Sequence, residues 1–338
     1  MKQSIYNIID GHLSKLNNLS KHIDNRRGII ISSLKYNDIK LISNNSTIDD
    51  QIILFCILRN ECHHINFFIE HYRSLGINTF VFLDNNSDDG TKEYLMKQQG
   101  IILYSNTEKF DAAKKLGWLN YLLFLHGLDK YCLVVDADEY ISYIGCEKYD
   151  FHDIISTMEK KGIKRTGGIM LDMYPKGELF STTATDFLND YNYFDYTGYD
   201  LLYYRWFGTQ VIGGPRKRCF GCKNFLAKIP LFYFSSKDNS ILVSNHYILP
   251  IEPTKDQMFF ALKHYKFLDK IDFEKVKDAV KKQYHFRNSM EYKIYLKNIN
   301  NTVETQNKYP VFYDDKYSME FQNSDSLKSI SFLKDPFN

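Results

Sequence analysis

The sharpest pattern in the chain is a run of seven apolar residues, Ile52 to Leu58, closed by the polar group Arg59-Asn60-Glu61. An uninterrupted run of that length predicts a strand buried on both faces, as in a parallel sheet. Ile65, Phe68, Ile69 and Tyr72 then recur at helical spacing, predicting a helix that Asn60 caps and Gly76 ends. A second strand follows over 78–83. Next come an acidic turn, Asp84 to Gly90, and a helix from near Thr91 to Gln99, with Ser87 or Asp88 as its cap. A third strand over 101–104, a helix over about 111–126 and a fourth strand over 131–135 complete the series. This alternation predicts βαβ units, with helices on both faces of a parallel sheet. Ligands bind such sheets beyond the carboxyl ends of the strands. Three polar groups fall there: Arg59-Asn60-Glu61, Asp84 to Asp89, and Asp136-Ala137-Asp138-Glu139.

Beyond residue 150 the pattern is less regular. Gly-Gly pairs stand beside strand-like runs at 167–171 and 211–214, and short strands are expected over 228–234 and 241–250. Thr254 with Gln257 reads as a capping box opening a helix over 256–271. From about 272 the chain is charged and mainly helical, with a polar tail after about 305. Residues 1–48 are polar and read as an N-terminal extension.

The turn "FLDNNSDDGT" invites a calcium reading, and counting tests it. With Gly90 as the sixth loop position, Asn85, Ser87 and Asp89 supply the first ligands. The twelfth is then Met96, which cannot chelate a hard cation. In an extended segment Asp136 and Asp138 share a side, so both carboxylates can face one cation that neutralises a diphosphate. A D-x-D alone equally fits a solvated strand end. Arg216 and Arg218, read as a strand, share a face suited to phosphate oxygens, against the alternative of a solvated basic loop. Lys114 and Lys115 precede the D-x-D strand and are weaker phosphate candidates. Asp172 interrupts an apolar strand, so it has a buried partner or faces a pocket, and it is the candidate general base. His264, between Phe260 and Leu268, reads by pattern alone as a semi-buried helix histidine; His246 follows a strand.

Bulk properties narrow the classes. At 338 residues and 44% hydrophobic, the chain can bury one large core or two modest ones. With 43 basic and 41 acidic residues, nothing points to nucleic acid as a partner. Six cysteines do not make a secreted disulfide framework at this length, and Cys219 with Cys222 is a lone CxxC. The N-terminus lacks a signal-peptide pattern, and no apolar run approaches the roughly 18 residues of a membrane span. A reducing cytoplasm is the expected location.

Several motifs, in order, resemble a known family. "CILRNE", "DNNSDDGTKEYL", Trp118 and "LVVDADEY" are similar to glycosyltransferases of the GT-A fold, closest to a bacterial family-2-like group related to family 92. "LDMYPKGEL", "GGPRKRCF", "KIPL", "SNHYILP" and "ALKHYKFL" extend the likeness over residues 50–297. The resemblance implies an α/β fold with a Rossmann-like, mostly parallel sheet and a helical C-terminal extension. It divides the chain into an extension at 1–48, a catalytic domain at 49–270 with a nucleotide-binding half (49–145) and an acceptor half (146–270), and a tail at 271–338.

It further implies a hexosyltransferase that uses Mn2+ or Mg2+. The enzyme would move a sugar from a nucleotide donor, a UDP-sugar by analogy, to a glycan or glycolipid hydroxyl in surface polysaccharide or lipooligosaccharide synthesis, peripheral to the inner membrane. Asp84 would lie beside base and ribose, with Arg59, Lys114, Arg216 and Arg218 also on the donor. Asp136 would contact ribose and metal, Asp138 the metal, with His264 or His246 completing it. Glu139 would orient the acceptor; Asp172 is the candidate base if the reaction inverts the anomeric centre, whereas a retaining reaction would need no such base. A sugar-phosphate nucleotidyltransferase is the alternative, but it would want a glycine-rich loop and lysine where this chain has "LRNECHH". A catalytically inactive carbohydrate-binding protein of the same fold is the third reading.

Overall fold

A computed structural model describes residues 38–46, 50–181, 187–204, 208–244, 246–249, 257–283 and 286–338. The chain is a mixed α/β protein that divides into two units, each discontinuous in sequence. Unit 1 comprises residues up to 137, 150–166 and 228–255; unit 2 comprises 138–149, 167–227 and 256–338.

In unit 1 the apolar runs become strands in the order Lys40–Asn44, Ile101–Ser105, Phe80–Asp84, Ile52–Leu58, Tyr131–Val134 and Ala227–Tyr233. The three inner pairings are parallel and the two outer ones antiparallel. All seven residues of Ile52–Leu58 are buried, as the absence of alternation predicts. Lys40–Asn44 corrects the N-terminal expectation: part of residues 1–48 is an edge strand. Residues 1–37 and 47–49 lie outside the described residues.

Helix Ile65–Ser74 buries Ile65, Phe68, Ile69 and Tyr72 as expected, but His64 stands at its N-cap, without a side-chain cap bond. Asn60 instead adopts φ +57° and binds the acidic turn. Gly100 closes the next segment at φ +73°, where a Cβ would meet the Asn78 carbonyl oxygen at 2.1 Å, so only glycine fits. The helix before it is shorter than expected, Thr91–Leu95.

Helix Ala112–His126 is apolar nearly all round, with Leu116, Trp118, Leu119, Leu122, Leu123 and Phe124 buried. Asn120 is buried on it. Its Nδ2 donates to the Leu242 carbonyl and its Oδ1 accepts from Leu242 N, which ties the helix to the hairpin Ile241–Ser244 and Tyr247–Leu249. At the helix end, the Tyr104 hydroxyl lies 2.8 Å from His126 Nε2, and burial, then Lys130, pushes the imidazole down to about 4. A folded value below the ordinary 6.5 means His126 contributes stability above pH 6.5, and that contribution is lost as pH falls through 4. His126→Gln, which can still accept from Tyr104, is therefore expected to flatten the fall in melting temperature between pH 6.5 and 4. An unchanged slope in thermal scans would refute the assignment.

In unit 2, Arg165–Asp172 pairs parallel with Met258–His264, which pairs antiparallel with Glu139–Ser142. Residues 258–264 thus form a strand, not part of a helix over 256–271. Met258 to Leu262 are buried, and a short run buried on both faces satisfies i, i+3, i+4 spacing as readily as strand packing does. Thr254, the expected cap, lies outside the described residues. Gly168 serves this pairing, since a Cβ there would meet Leu262 Cδ1 at 2.7 Å and the Phe260 carbonyl oxygen at 2.9 Å. Helices Lys270–Lys282 and Phe286–Gln306 follow as expected. The tail is ordered structure: Ser318–Glu320 pairs with Tyr193–Asp195, and Phe312, Leu327 and Ile330 are buried. No helix among the described residues is long and apolar enough to cross a membrane.

Candidate functional site

The carboxyl ends of the unit 1 strands carry the acidic turn. Asp84, the last residue of its strand, is fully buried. Its Oδ2 accepts from Ser87 N at 3.1 Å, while Oδ1 has no partner. Asn85 Nδ2 donates to the carbonyls of Asn106 and Glu108, and Asn106 Oδ1 accepts from Glu108 N, which fixes both amide orientations. Asn85 Oδ1 and Asn106 Nδ2 are then left buried and unpartnered.

The turn is zipped to the loop after the first inner strand. Asn60 N donates to Ser87 Oγ, Asn60 and Asp88 exchange two bonds, and Cys62 N donates to Asp89 Oδ2. Neither Ser87 nor Asp88 caps the next helix. Its N-cap is Gly90 at φ +96°, and Asp89 Oδ1 accepts from Thr91 N at 3.0 Å. Burial raises the Asp89 pKa, but bonds from Thr91 and Cys62 outweigh it and hold it below the usual range. Arg59, the residue before Asn60, is exposed.

Asp136 meets two lysines. Lys115 Nζ lies 2.5 Å from Oδ1 and Lys228 Nζ 3.8 Å from Oδ2. Both lysines are buried, whereas a third of the Asp136 side chain reaches solvent. Burial presses the Lys115 pKa down, yet Asp136 more than reverses it. Two buried lysines converge on one carboxylate that reaches solvent, and an ammonium group held there is suited to meet a phosphate oxygen. Of the two lysines read as weaker phosphate candidates, Lys114 instead pairs with Glu108 at 2.7 Å. Its neighbour Lys115 points inward because Leu116 and Leu119 set the buried face of that helix. Lys228 was missed; the one signal was a lysine opening the apolar run "KIPLFY".

Unit 2 holds a second constellation. The register sets Glu139 and Asp172 on either side of His264 in one row across three strands. His264 Nδ1 lies 2.7 Å from Asp172 Oδ1, and Nε2 lies 3.3 Å from Asp138 Oδ2. Asp172 Oδ2 accepts from Arg216 Nε at 2.7 Å. Arg216 Nη1 donates to Glu291 and Tyr295 at 2.9 Å each, and Nη2 is buried without a partner. His264, Asp172 and Arg216 are all about 5% exposed or less, while Asp138 keeps 34% of its side chain in solvent.

Burial lowers the His264 pKa, but Asp138 and then Asp172 outweigh it and lift the imidazole to about 9. Burial likewise raises the Asp172 pKa, and Arg216 and His264 overcome that to hold it below the ordinary range. Lys266, two residues past His264 and bonded to the Tyr292 hydroxyl at 3.1 Å, is also raised. Burial opposes this, and Tyr292, Asp138 and Glu291 outweigh it. Lys266, Glu291 and Tyr295 were not foreseen: Lys266 follows the strand that the pattern reads as helix, and nothing in helix Phe286–Gln306 marks Glu291 and Tyr295 as the residues that reach a buried arginine.

His264 Nε2 and Asp138 Oδ2 are the atoms of this constellation that could hold a divalent cation. Two ligands about 2.1 Å from an ion and at right angles stand about 3 Å apart, near the separation of His264 Nε2 and Asp138 Oδ2. A carboxylate on the other ring nitrogen is the usual support of a ligating histidine. Other sequence candidates fall elsewhere. His246 sits between the strands of the unit 1 hairpin, with its carbonyl accepting from Ile229 N. Ala137 and Asp138 form a turn after a strand that ends at Val134, so the same-side argument from an extended segment does not hold. Arg216 and Arg218 lie on a helix, Gly214–Phe220, not a strand; Pro215 at its start and Gly221 at φ +73° after its end are ordinary helix punctuation. Arg218 forks onto Asp195 at 2.8 and 3.1 Å and donates to the Phe312 carbonyl, which ties down the tail. Glu139 is buried at 1% exposure.

Neither a family model nor a curated protein sequence matches the chain.

Proposed function

We propose that this chain is a metal-dependent glycosyltransferase of GT-A type, which moves a sugar from a nucleoside-diphosphate donor to a hydroxyl of a glycan or glycolipid acceptor at the cytoplasmic side of a membrane. The observation that carries the reading is the row Asp138–His264–Asp172–Arg216. It holds a carboxylate and an imidazole nitrogen 3.3 Å apart and braces the imidazole from behind. A Mn2+ or Mg2+ ion there would supply positive charge to a diphosphate leaving group.

The remaining steps belong to the chain. Asp172 fixes the His264 tautomer by accepting from Nδ1, which leaves Nε2 turned toward Asp138. Arg216 keeps Asp172 ionised. With both oxygens occupied and 4% exposure, Asp172 acts here as a positioning residue, not as the group that takes the acceptor proton. In unit 1, Lys115 and Lys228 carry the positive charge that attracts phosphate. Asp84, Asn85 and Asn106 offer unpartnered polar atoms at the strand ends, where α/β sheets take nucleotides.

A thermal-unfolding series tests the proposal, using UDP, GDP, CMP and TDP, each with manganese or with a chelator. A ligand at 100 times its dissociation constant stabilises the native state by about 2.7 kcal/mol. The expected result is a raised melting temperature with one nucleoside diphosphate, in manganese alone. No shift with any of them would overturn the reading.

A further inference from the structure

Within unit 2, and among the described residues, strand Asp200–Tyr204 pairs on one side only, with Gly208–Ile212. All five of its residues are exposed. Leu201 is 50% exposed, Leu202 37%, Tyr203 68% and Tyr204 41%, and Phe225, 42% exposed, packs its ring 5.6 Å from that of Tyr204. Successive strand residues point to opposite faces, so this strand is apolar and bare on both. Soluble surfaces seldom carry four consecutive exposed apolar residues without a use for them.

Three observations select the occupant. A protein partner laid on one face would leave the other apolar face in water, whereas a lipid interface wets both. The five side chains expose about 500 Å² by their usual areas, short of the roughly 800 Å² per partner of a standard stable interface. A bilayer sets no such minimum, since each apolar or aromatic side chain partitions on its own. The charge also suits an anionic surface: the strand's one acid, Asp200, is paired with Lys217 at 2.5 Å, and Lys223 stands exposed two residues before Phe225.

We propose that Leu201, Leu202, Tyr203, Tyr204 and Phe225, with Lys223, form an anchor in the interface of a bilayer containing anionic lipid. The paired strand Gly208–Ile212 runs within two residues into the helix that carries Arg216. Anchoring would therefore set the acceptor side of unit 2 at the lipid surface, as an acceptor carried on a lipid requires.

Vesicle sedimentation without nucleotide tests this independently of the donor reading. The full chain is mixed with phosphatidylcholine vesicles, or with vesicles holding about one third phosphatidylglycerol, the range in which basic residues respond to anionic lipid. The wild-type chain should pellet with the anionic vesicles. The double variant Leu201→Ser, Tyr203→Ser should partition at least about tenfold less, in line with the loss of two interfacial apolar side chains, at an unchanged melting temperature. Lys223→Glu should weaken binding to the anionic vesicles alone. A wild-type chain that stays in the supernatant with both compositions would overturn the proposal, as would a double variant that binds as well as wild type. So would self-association without vesicles that the double variant abolishes, since the strand would then serve a second copy of the chain.

Discussion

His264→Ala is expected to remove manganese-dependent donor binding and to lower transfer on the order of 100-fold or more, since even residues that only support a metal ligand cost 10–100-fold when lost. The argument rests on the two ring nitrogens having different tasks. Nδ1 is committed to Asp172 at 2.7 Å, and Nε2 faces Asp138 at 3.3 Å, so alanine deletes a ligand and the group its support was built to hold. Asp138→Asn should fail in the same way, because a neutral amide is a poor ligand for a hard cation. His246→Ala should leave manganese affinity unchanged, as that residue belongs to a unit 1 hairpin. Isothermal titration with manganese, alone and with donor nucleotide, measures all three. Unchanged manganese affinity in His264→Ala, or its loss in His246→Ala, would remove the proposed metal pair.

The unit 1 strands were legible because their burial leaves a mark in one dimension. Ile52 to Leu58 is too short for a buried helix and too continuous for a half-exposed strand, and Gly76 and Gly100 punctuate what surrounds it. The same rule failed at Met258 to His264, where Phe259, Phe260 and Leu262 suit either period and an apparent cap at Thr254 tipped the balance toward helix. That error hid the register that sets His264 opposite both Asp172 and Glu139, so the sequence could offer a late histidine but not its partners. Arg216 and Arg218 show the limit differently. Both were visible as cations, yet whether a guanidinium meets a ligand or a carboxylate of its own chain depends on Asp195 and Glu291, far away in sequence. Lys228 is the converse: ordinary in sequence, it becomes notable only because burial brings it, beside the candidate Lys115, to one carboxylate.

Asp172→Asn separates the two roles that this aspartate could play. A general base replaced by an amide would leave metal and donor affinity intact and lose transfer alone. The geometry predicts otherwise. Asp172 Oδ2 accepts from Arg216 Nε and Oδ1 from His264 Nδ1, so an asparagine has one oxygen for two donors. Arg216 cannot give up its proton, so the amide oxygen stays with Nε and the NH2 group turns to His264. The imidazole must then accept at Nδ1 and carry its proton at Nε2, which places an N–H where the ion requires a lone pair. Manganese affinity is therefore expected to fall about 10–100-fold, the range for disturbed ligand support, and turnover should fall with it. The fold should survive, because size and the Arg216 bond are kept, and the melting temperature checks this. Raising manganese should recover part of the lost turnover, which no amount of metal could do for a missing base. A variant with wild-type manganese affinity and no transfer would return Asp172 to the acceptor hydroxyl and leave His264 without its brace.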